Sequence, residues 1–306
     1  MQKRNLGKSM KVSSVGLGCM GITHASGTPL TKAEGMKVLE SALEIGYNFF
    51  DTAECYTGTN PDGTVAYNEE VVGAVLKPVR NKVILASKCG VTHGKDHLIM
   101  DSRPQSIRKA LEGSLKRLGT DYIDLYYQHR IDPKVEPEEV AGTMSDLMKE
   151  GKIRAWGISE TDEAYLRRAH SVCPVTAIQN RYSMMARWYE NLFPVVEELG
   201  ITYVAFSPLA NGFLSGQYNE KSSFEKSREL LQMLRDMAAE KNATPGQISL
   251  AWMLCKKPFI VPIPGSRKPE RLKENFEAAN ICLSQDEIAV IDEKLNTMEL
   301  LVFGGH

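Results

Sequence analysis

The chain has 306 residues, 42% hydrophobic and 25% charged, with 24 Gly and 14 Pro, the balance of an ordinary folded globular protein. Its 37 Lys plus Arg against 38 Asp plus Glu give a formal charge of −1, which excludes the basic footprint of a nucleic-acid or anionic-membrane binder, and its near-neutrality permits self-association without requiring it. Cys19, Cys55, Cys89, Cys173, Cys255 and Cys282 lie far apart with no C-x-x-C pair, and no uncharged apolar run reaches membrane-spanning length, so a disulfide framework, a zinc ribbon and a transmembrane helix are all excluded and a cytoplasmic location is expected.

A turn around Lys3 to Met10 leads into Val12–Met20, a β-rich run ending in glycines. Thr31 to Gly46 reads as a helix with Thr31 and Glu34 as a capping box and Gly46 as its stop. Tyr47–Thr52 is a short buried strand, Asn68–Lys77 a helix closed by Pro78, and Lys82–Lys88 a strand. Ser102–Leu118 follows as a helix capped by Ser102, then strand Ile123–His129, helix Pro137–Glu150 and strand Ile153–Ser159. Helix Thr161–Ser171, strand Val175–Asn180, helix Phe193–Leu199 and strand Thr202–Ser207 continue the series. Two helical pieces within Ser227–Lys257, strand Phe259–Pro264, helix Pro269–Ala279 and an extra amphipathic helix Ser284–Leu295 complete it.

These are eight strand–helix units whose strands are apolar without alternation, the pattern of strands covered on both faces. An open doubly wound sheet and a closed barrel both fit such a series, but eight units over about 250 residues is the barrel's count. The expected fold is therefore α/β, a (β/α)8 TIM barrel with an N-terminal hairpin and an extra C-terminal helix, residues 1–306 forming one domain.

Functional residues of such a barrel gather where strands end. The second strand ends at Asp51 with Tyr56 five residues on, the third ends at Lys88 and the fourth at His129. A tyrosine of pKa near ~10 is a poor acid, and an ammonium within ~4–6 Å is expected to lower it. Asp51 would keep Lys88 charged, and His129 could donate to an oxygen where negative charge develops. Such a set can protonate a carbonyl oxygen; no side chain donates hydride, so a nicotinamide cofactor is required.

The strings FFDTAECY (Phe49–Tyr56), ASK (Ala86–Lys88), DLYYQHR (Asp124–Arg130), KEGKIRAWGISE (Lys149–Glu160), AIQNRYS (Ala177–Ser183), AFSPLANGFLSG (Ala205–Gly216) and PIPGSRKPERLKENF (Pro262–Phe276) resemble the aldo-keto reductases along nearly the whole chain. The resemblance implies a catalytic tetrad of Asp51, Tyr56, Lys88 and His129 with Tyr56 as general acid. It implies that Ser159 and Gln179 hold the nicotinamide carboxamide, that Phe206, where many members have Tyr, stacks on its ring, and that Ser207, Leu209 and Asn211 follow the pyrophosphate. Gly265, Ser266, Arg267 and Arg271, at a loop entering a helix N-terminus, would hold an adenosine 2′-phosphate, with Glu274 and Asn275 facing adenine. The expected cofactor is NADPH and the expected partner a small carbonyl substrate.

Other features have competing readings. Gly16–Gly21 matches G-x-G-x-x-G, but no helix opens there, so it reads as the rim of the first strand with Met20 and Gly21 near the cofactor. His93 and His97 lack a third metal ligand, and Cys55 reads as a packed thiol more readily than a reactive one. Trp188 and Tyr189 either wall the pocket or pack their loop, and Thr57–Ala66 is expected to be a turn. A cofactor-loaded regulatory barrel is the competing function; members of that kind typically lack the tetrad His, so His129 favours catalysis.

Overall fold

A computed structural model describes residues 3–24, 27–95, 97–216, 227–298 and 300. Eight parallel strands form one sheet in chain order: Leu17–Gly18, Phe49–Asp51, Ile84–Cys89, Ile123–Gln128, Ile153–Ser159, Ala177–Arg181, Thr202–Phe206 and Ile260–Pro262. They are called the first to the eighth barrel strand below. The sheet closes where Gly16 N donates to Pro262 O at 2.9 Å and Gly18 N to Pro264 O at 3.3 Å. That seam is tight: a Cβ on Gly18 would stand 2.7 Å from Ile263 O, and one on Gly265 2.8 Å from Gly18 O. Glycine is required at both positions because a side chain would force the seam strands apart.

Along each strand successive side chains alternate between the barrel interior and the helices. Phe49, Ala86, Leu125, Tyr127, Ala177, Val204 and Val261 belong to the interior cluster, whereas Phe50, Leu85, Tyr126, Ile178 and Tyr203 pack outward among the helices. The interior is closed below by a hairpin of Lys3–Leu6 and Met10–Ser13, whose Leu6 and Val12 join the same cluster. Arg4 anchors that hairpin to the start of the eighth strand, its Nη1 donating to Lys257 O at 2.8 Å and to Ile260 O at 2.7 Å. The end so plugged is the one where strands begin, which leaves the opposite end open for chemistry.

The helices fall where their caps place them. Thr31 and Glu34 form the expected capping box on Lys32–Ile45, with Gly46 left-handed at its end. A second box, Ser284 with Glu287, starts the extra helix Gln285–Thr297. Ser102 is a correction. Helix Pro104–Leu118 takes Arg103 as its N-cap with Pro104 in the first turn, while Ser102 is buried, its N–H donating to Asp132 Oδ2 at 3.1 Å and its hydroxyl accepting from Gln128 Nε2 at 3.0 Å. The proline moves the start by two residues because its fixed φ suits the first helical position.

Thr57–Ala66 is also more than a turn. Thr57–Thr59 pairs antiparallel with Val65–Tyr67, so the sequence turn is only the tip of a hairpin. Val91–His93 and Leu98–Met100 form a second hairpin after the third strand. Both stand on the open end. A 3-10 turn, Met20–Ile22, overlaps the end of the Gly16–Gly21 run, and the first α-helix of the described residues begins at Lys32; residues 25 and 26 of the intervening loop lie outside the described residues.

Candidate active site

Each of six residues at the open end stands two positions, or four for Ser159, beyond an inward-facing core residue. Asp51 follows Phe49, Lys88 follows Ala86, His129 follows Tyr127, Ser159 follows Ala155 and Gly157, Gln179 follows Ala177, and Phe206 follows Val204. The period of two that packs the barrel therefore also aims these side chains at its mouth. Parallel pairing of Asp51 with Ala86 and of Lys88 with Tyr127 brings the second, third and fourth strands into register there.

Lys88 is fully buried and its three ammonium protons are all placed. Nζ donates to Asp51 Oδ1 at 2.5 Å, to Thr52 O at 2.9 Å and to Tyr56 Oη at 3.1 Å. An ammonium only donates, so the Tyr56 oxygen accepts and its own proton is left for another partner. The Tyr56 backbone is held by Thr23 Oγ1 and Asn68 N, which both donate to its carbonyl, at 3.1 and 3.0 Å. Asn68 itself bonds Thr52, Cys19 and Thr23, tying three rim segments together. His129 meets the Tyr56 ring edge-on at 5.8 Å between centroids.

The electrostatics correct one expectation. Burial pushes the Tyr56 phenol above its ordinary value, and the adjacent Lys88 charge offsets only part of that. Desolvation of the phenolate outweighs the ammonium, whose effect the Asp51 charge also opposes. Burial opposes the Lys88 charge too, but Asp51 and Tyr56 together hold its pKa above the usual lysine value. His129 is driven well below the usual histidine range, first by burial and then by Lys88 and Arg130, so its imidazole is neutral.

A cavity of about 710 Å³ opens over this cluster. Asp51, Tyr56 and His129 line its floor, and Ser159, Gln179, Phe206, Ser207, Leu209 and Asn211 line one wall. Met20, Gly21, Gly265, Ser266 and Arg267 line the other. Lys88 sits beneath Tyr56, while Arg271, Glu274 and Asn275 stand outside the lining on helix Pro269–Glu277. There Arg271 Nη1 grips both carboxylate oxygens of Glu274, at 2.8 and 2.6 Å, and Asn275 is buried. Trp188 and Tyr189 do not line the cavity; Tyr189 Oη reaches Glu160 Oε2 at 3.2 Å, so it packs its loop.

Sequence reasoning missed several residues. Arg130 Nη1 donates to His129 O at 2.7 Å and Ser159 Oγ at 3.2 Å, linking the fourth and fifth strand ends. His24 and His93, 4.9 Å apart, line the cavity and turn one nitrogen each onto backbone carbonyls beside Tyr56, those of Thr57 and Cys55. The backbone of the wall after the seventh strand is strained: Ser207, Ala210 and Asn211 have φ of 50°, 47° and 54°. Non-glycine residues rarely adopt such angles, and clusters of them mark functional loops. Arg130 and the strained wall residues stood within family-like strings, but only the tertiary structure brings His24 and His93, 32 and 37 residues from Tyr56 in sequence, to its side.

A model of the Aldo/keto reductase family matches residues 14–296. An aldo-keto reductase of Strobilurus tenacellus is 36% identical, over 97% of this chain and 93% of its own length. Among solved structures, a glycerol dehydrogenase from Gluconobacter oxydans is similar at 26% identity with a TM-score of 0.87, covering 99% of this chain and 98% of that one. The holo form of an aldo-keto reductase from Bacillus halodurans is similar at 29% identity with a TM-score of 0.82, covering 100% and 99%.

Proposed function

The chain belongs to the aldo/keto reductase family, and from that premise we propose that it reduces aldehydes or ketones to alcohols with NADPH, Tyr56 acting as general acid. The observation that carries this reading is the Lys88–Tyr56 hydrogen bond of 3.1 Å: the ammonium occupies a lone pair of the phenol oxygen, and the phenol proton is left to donate into the cavity. Burial keeps that phenol protonated at neutral pH but makes it a weaker acid, a cost the adjacent Lys88 ammonium offsets in part. As the proton leaves, the Lys88 charge 3.1 Å away stabilises the phenolate that forms. Neutral His129 then serves as a hydrogen-bond donor to the carbonyl oxygen rather than as a second acid.

The residues suit the cofactor. The cavity has the size range of small-molecule and cofactor sites. Arg267 lines it with Nη2 buried and without a hydrogen-bond partner among the described residues, a donor turned toward an anion, while Nε and Nη1 strap Gly21 O and Thr28 O across the cleft. Helix Pro269–Glu277 starts without a side-chain cap; Pro269 has no N–H and Arg271 N donates to Lys268 O, so the Glu270 N–H and the positive helix end are what it offers an anion. When bound, the cofactor supplies hydride to the carbonyl carbon. Ser159 and Gln179 would orient the carboxamide, Phe206 would stack on the ring, and Ser207, Leu209 and Asn211 would follow the pyrophosphate. Gly265, Ser266, Arg267 and Arg271 would take the 2′-phosphate, with Glu274 and Asn275 toward adenine.

The test is single-turnover oxidation of bound NADPH by a reactive aldehyde such as nitrobenzaldehyde, in wild type and Tyr56→Phe. Wild type is expected to turn over, and Tyr56→Phe to keep NADPH affinity while losing roughly 10²–10⁴-fold in rate. Tight NADPH binding with no turnover in wild type would favour a regulatory barrel; near-wild-type turnover in Tyr56→Phe would remove Tyr56 from its role.

A further inference from the structure

Cys55 immediately precedes the tetrad tyrosine, and its backbone is clamped. Its carbonyl accepts from Thr57 N at 2.9 Å and from His93 Nε2 at 3.1 Å. So held, its buried Sγ lies 3.4 Å from Nδ1 of His129. The direction of that hydrogen bond follows from what each partner can carry. Burial pushes the thiol up to about 11, so it keeps its proton at neutral pH. His129, neutral as described, has a single N–H. Were that proton on Nδ1, the S–H would be left with no acceptor, because Sγ has no other hydrogen-bond partner among the described residues. With the thiol donating, both groups are satisfied and the ring proton sits on Nε2. His129 lines the cavity, and Nε2 is the one ring nitrogen the thiol leaves available to it.

We propose that Cys55 is a positioning residue: its thiol donates to Nδ1 of His129, fixes the imidazole as the Nε2–H tautomer, and keeps a hydrogen-bond donor directed at the reacting carbonyl oxygen. The proposal rests on the role given to His129 above. Which nitrogen of a histidine carries the proton is set by the partner of the other. A thiol serves here where a carboxylate would not: a carboxylate accepts, and would pull the proton to Nδ1 and leave Nε2 without one.

The tautomer is read directly by long-range ¹H–¹⁵N correlation of the ring nitrogens, with His129 assigned through the resonance lost in His129→Gln. Wild type and Cys55→Ser, whose hydroxyl also donates, are expected to show the Nε2–H form alone. Cys55→Ala, and Cys55→Val, which fills the site with an apolar side chain that cannot donate, are expected to show a mixture containing Nδ1–H. In those two variants kcat for aldehyde reduction should fall about three- to tenfold, the effect of one hydrogen bond, with the NADPH dissociation constant unchanged and with Cys55→Ser restoring the rate. A wild-type ring protonated at Nδ1, or Cys55→Ala and Cys55→Val spectra identical to wild type, overturns the proposal. The spectrum needs no turnover, so a protein that reduces no carbonyl would defeat the proposed function while the thiol–imidazole assignment still stands or falls by its own reading.

Discussion

Gln179 donates its Nε2 to Oδ2 of Asp51 at 2.8 Å, the carboxylate oxygen that Lys88 does not use. The two residues are 128 apart in sequence and come from the second and sixth strands, across the barrel mouth. The same amide that is expected to hold the nicotinamide thus also braces the carboxylate beneath the tyrosine. A Gln179→Glu protein would set a second buried carboxylate against Asp51, a loss of the size seen when a buried charge is left unpaired, ~3–5 kcal/mol. Its kcat/KM should fall by roughly 100-fold or more, against about tenfold for Gln179→Ala, which removes one hydrogen bond. Equal losses in steady-state assays at saturating NADPH would show that Gln179 serves the cofactor alone.

The raised Tyr56 pKa gives the pH dependence a sign. The phenol remains protonated through the neutral range, and Lys88, also raised, remains charged. Carbonyl reduction, which uses the phenol as donor, should be flat from pH 6 to 9 and decline only as pH rises above the ordinary tyrosine value. Alcohol oxidation, which needs the phenolate as acceptor, should rise over the same alkaline range. His129, neutral far below its usual pKa, should add no step near pH 6.5. Single-turnover rates across this range check both limbs; a reduction limb centred near neutrality would contradict the assignment of the acid.

Arg271 faces the carboxylate of Glu274 from one side, and that pairing orients the guanidinium at the start of helix Pro269–Glu277. If it also meets the 2′-phosphate, Arg271→Ala should raise the NADPH dissociation constant roughly tenfold or more while leaving that for NADH within about twofold, since charge-assisted bonds are the stronger class. Fluorescence titration with both nucleotides decides it. Equal weakening of the two would place Arg271 in a purely structural pairing with Glu274.

Glu54 bridges the ends of the second and third strands: its N–H donates to Lys88 O at 3.2 Å, and its Oε1 accepts from Gly90 N at 2.9 Å. Burial first, offset in part by the Gly90 bond and then opposed again by Glu69, lifts its pKa to about 7. A carboxyl whose folded pKa exceeds its unfolded value binds its proton more tightly in the native state. Its stabilising effect is therefore full below the unfolded pKa and is lost as pH rises through the folded one. Glu54→Gln keeps an acceptor for Gly90 and removes the charge. It should stabilise the protein by about 3 kcal/mol at pH 8 and by little at pH 4.5, measured by urea unfolding at both. The same gain at both pH values would mean that ionisation is not the cause.

Much of this was legible in the chain. Local signals acted locally: the boxes Thr31–Glu34 and Ser284–Glu287 start helices because donor and acceptor lie three residues apart. The strand ends carried Asp51, Lys88 and His129 in plain view, since a period of two fixes which side chains face inward. Ser102 misled because a cap motif read alone ignores a buried partner. Gln128 and Asp132 claim its hydroxyl and its N–H, and Pro104 opens the helix beyond it.

From the sequence alone came the count of eight units, the inward parity of the site residues and the types of group at each strand end. The tertiary structure decided which atoms meet: Gln179 with Asp51, Cys55 with His129, Arg130 with Ser159. It also decided that burial outweighs Lys88 at the Tyr56 phenol. The reason is physical. Parity and propensity are properties of neighbouring residues, whereas hydrogen-bond partners and desolvation depend on register and closure, which exist only once all eight strands share one barrel.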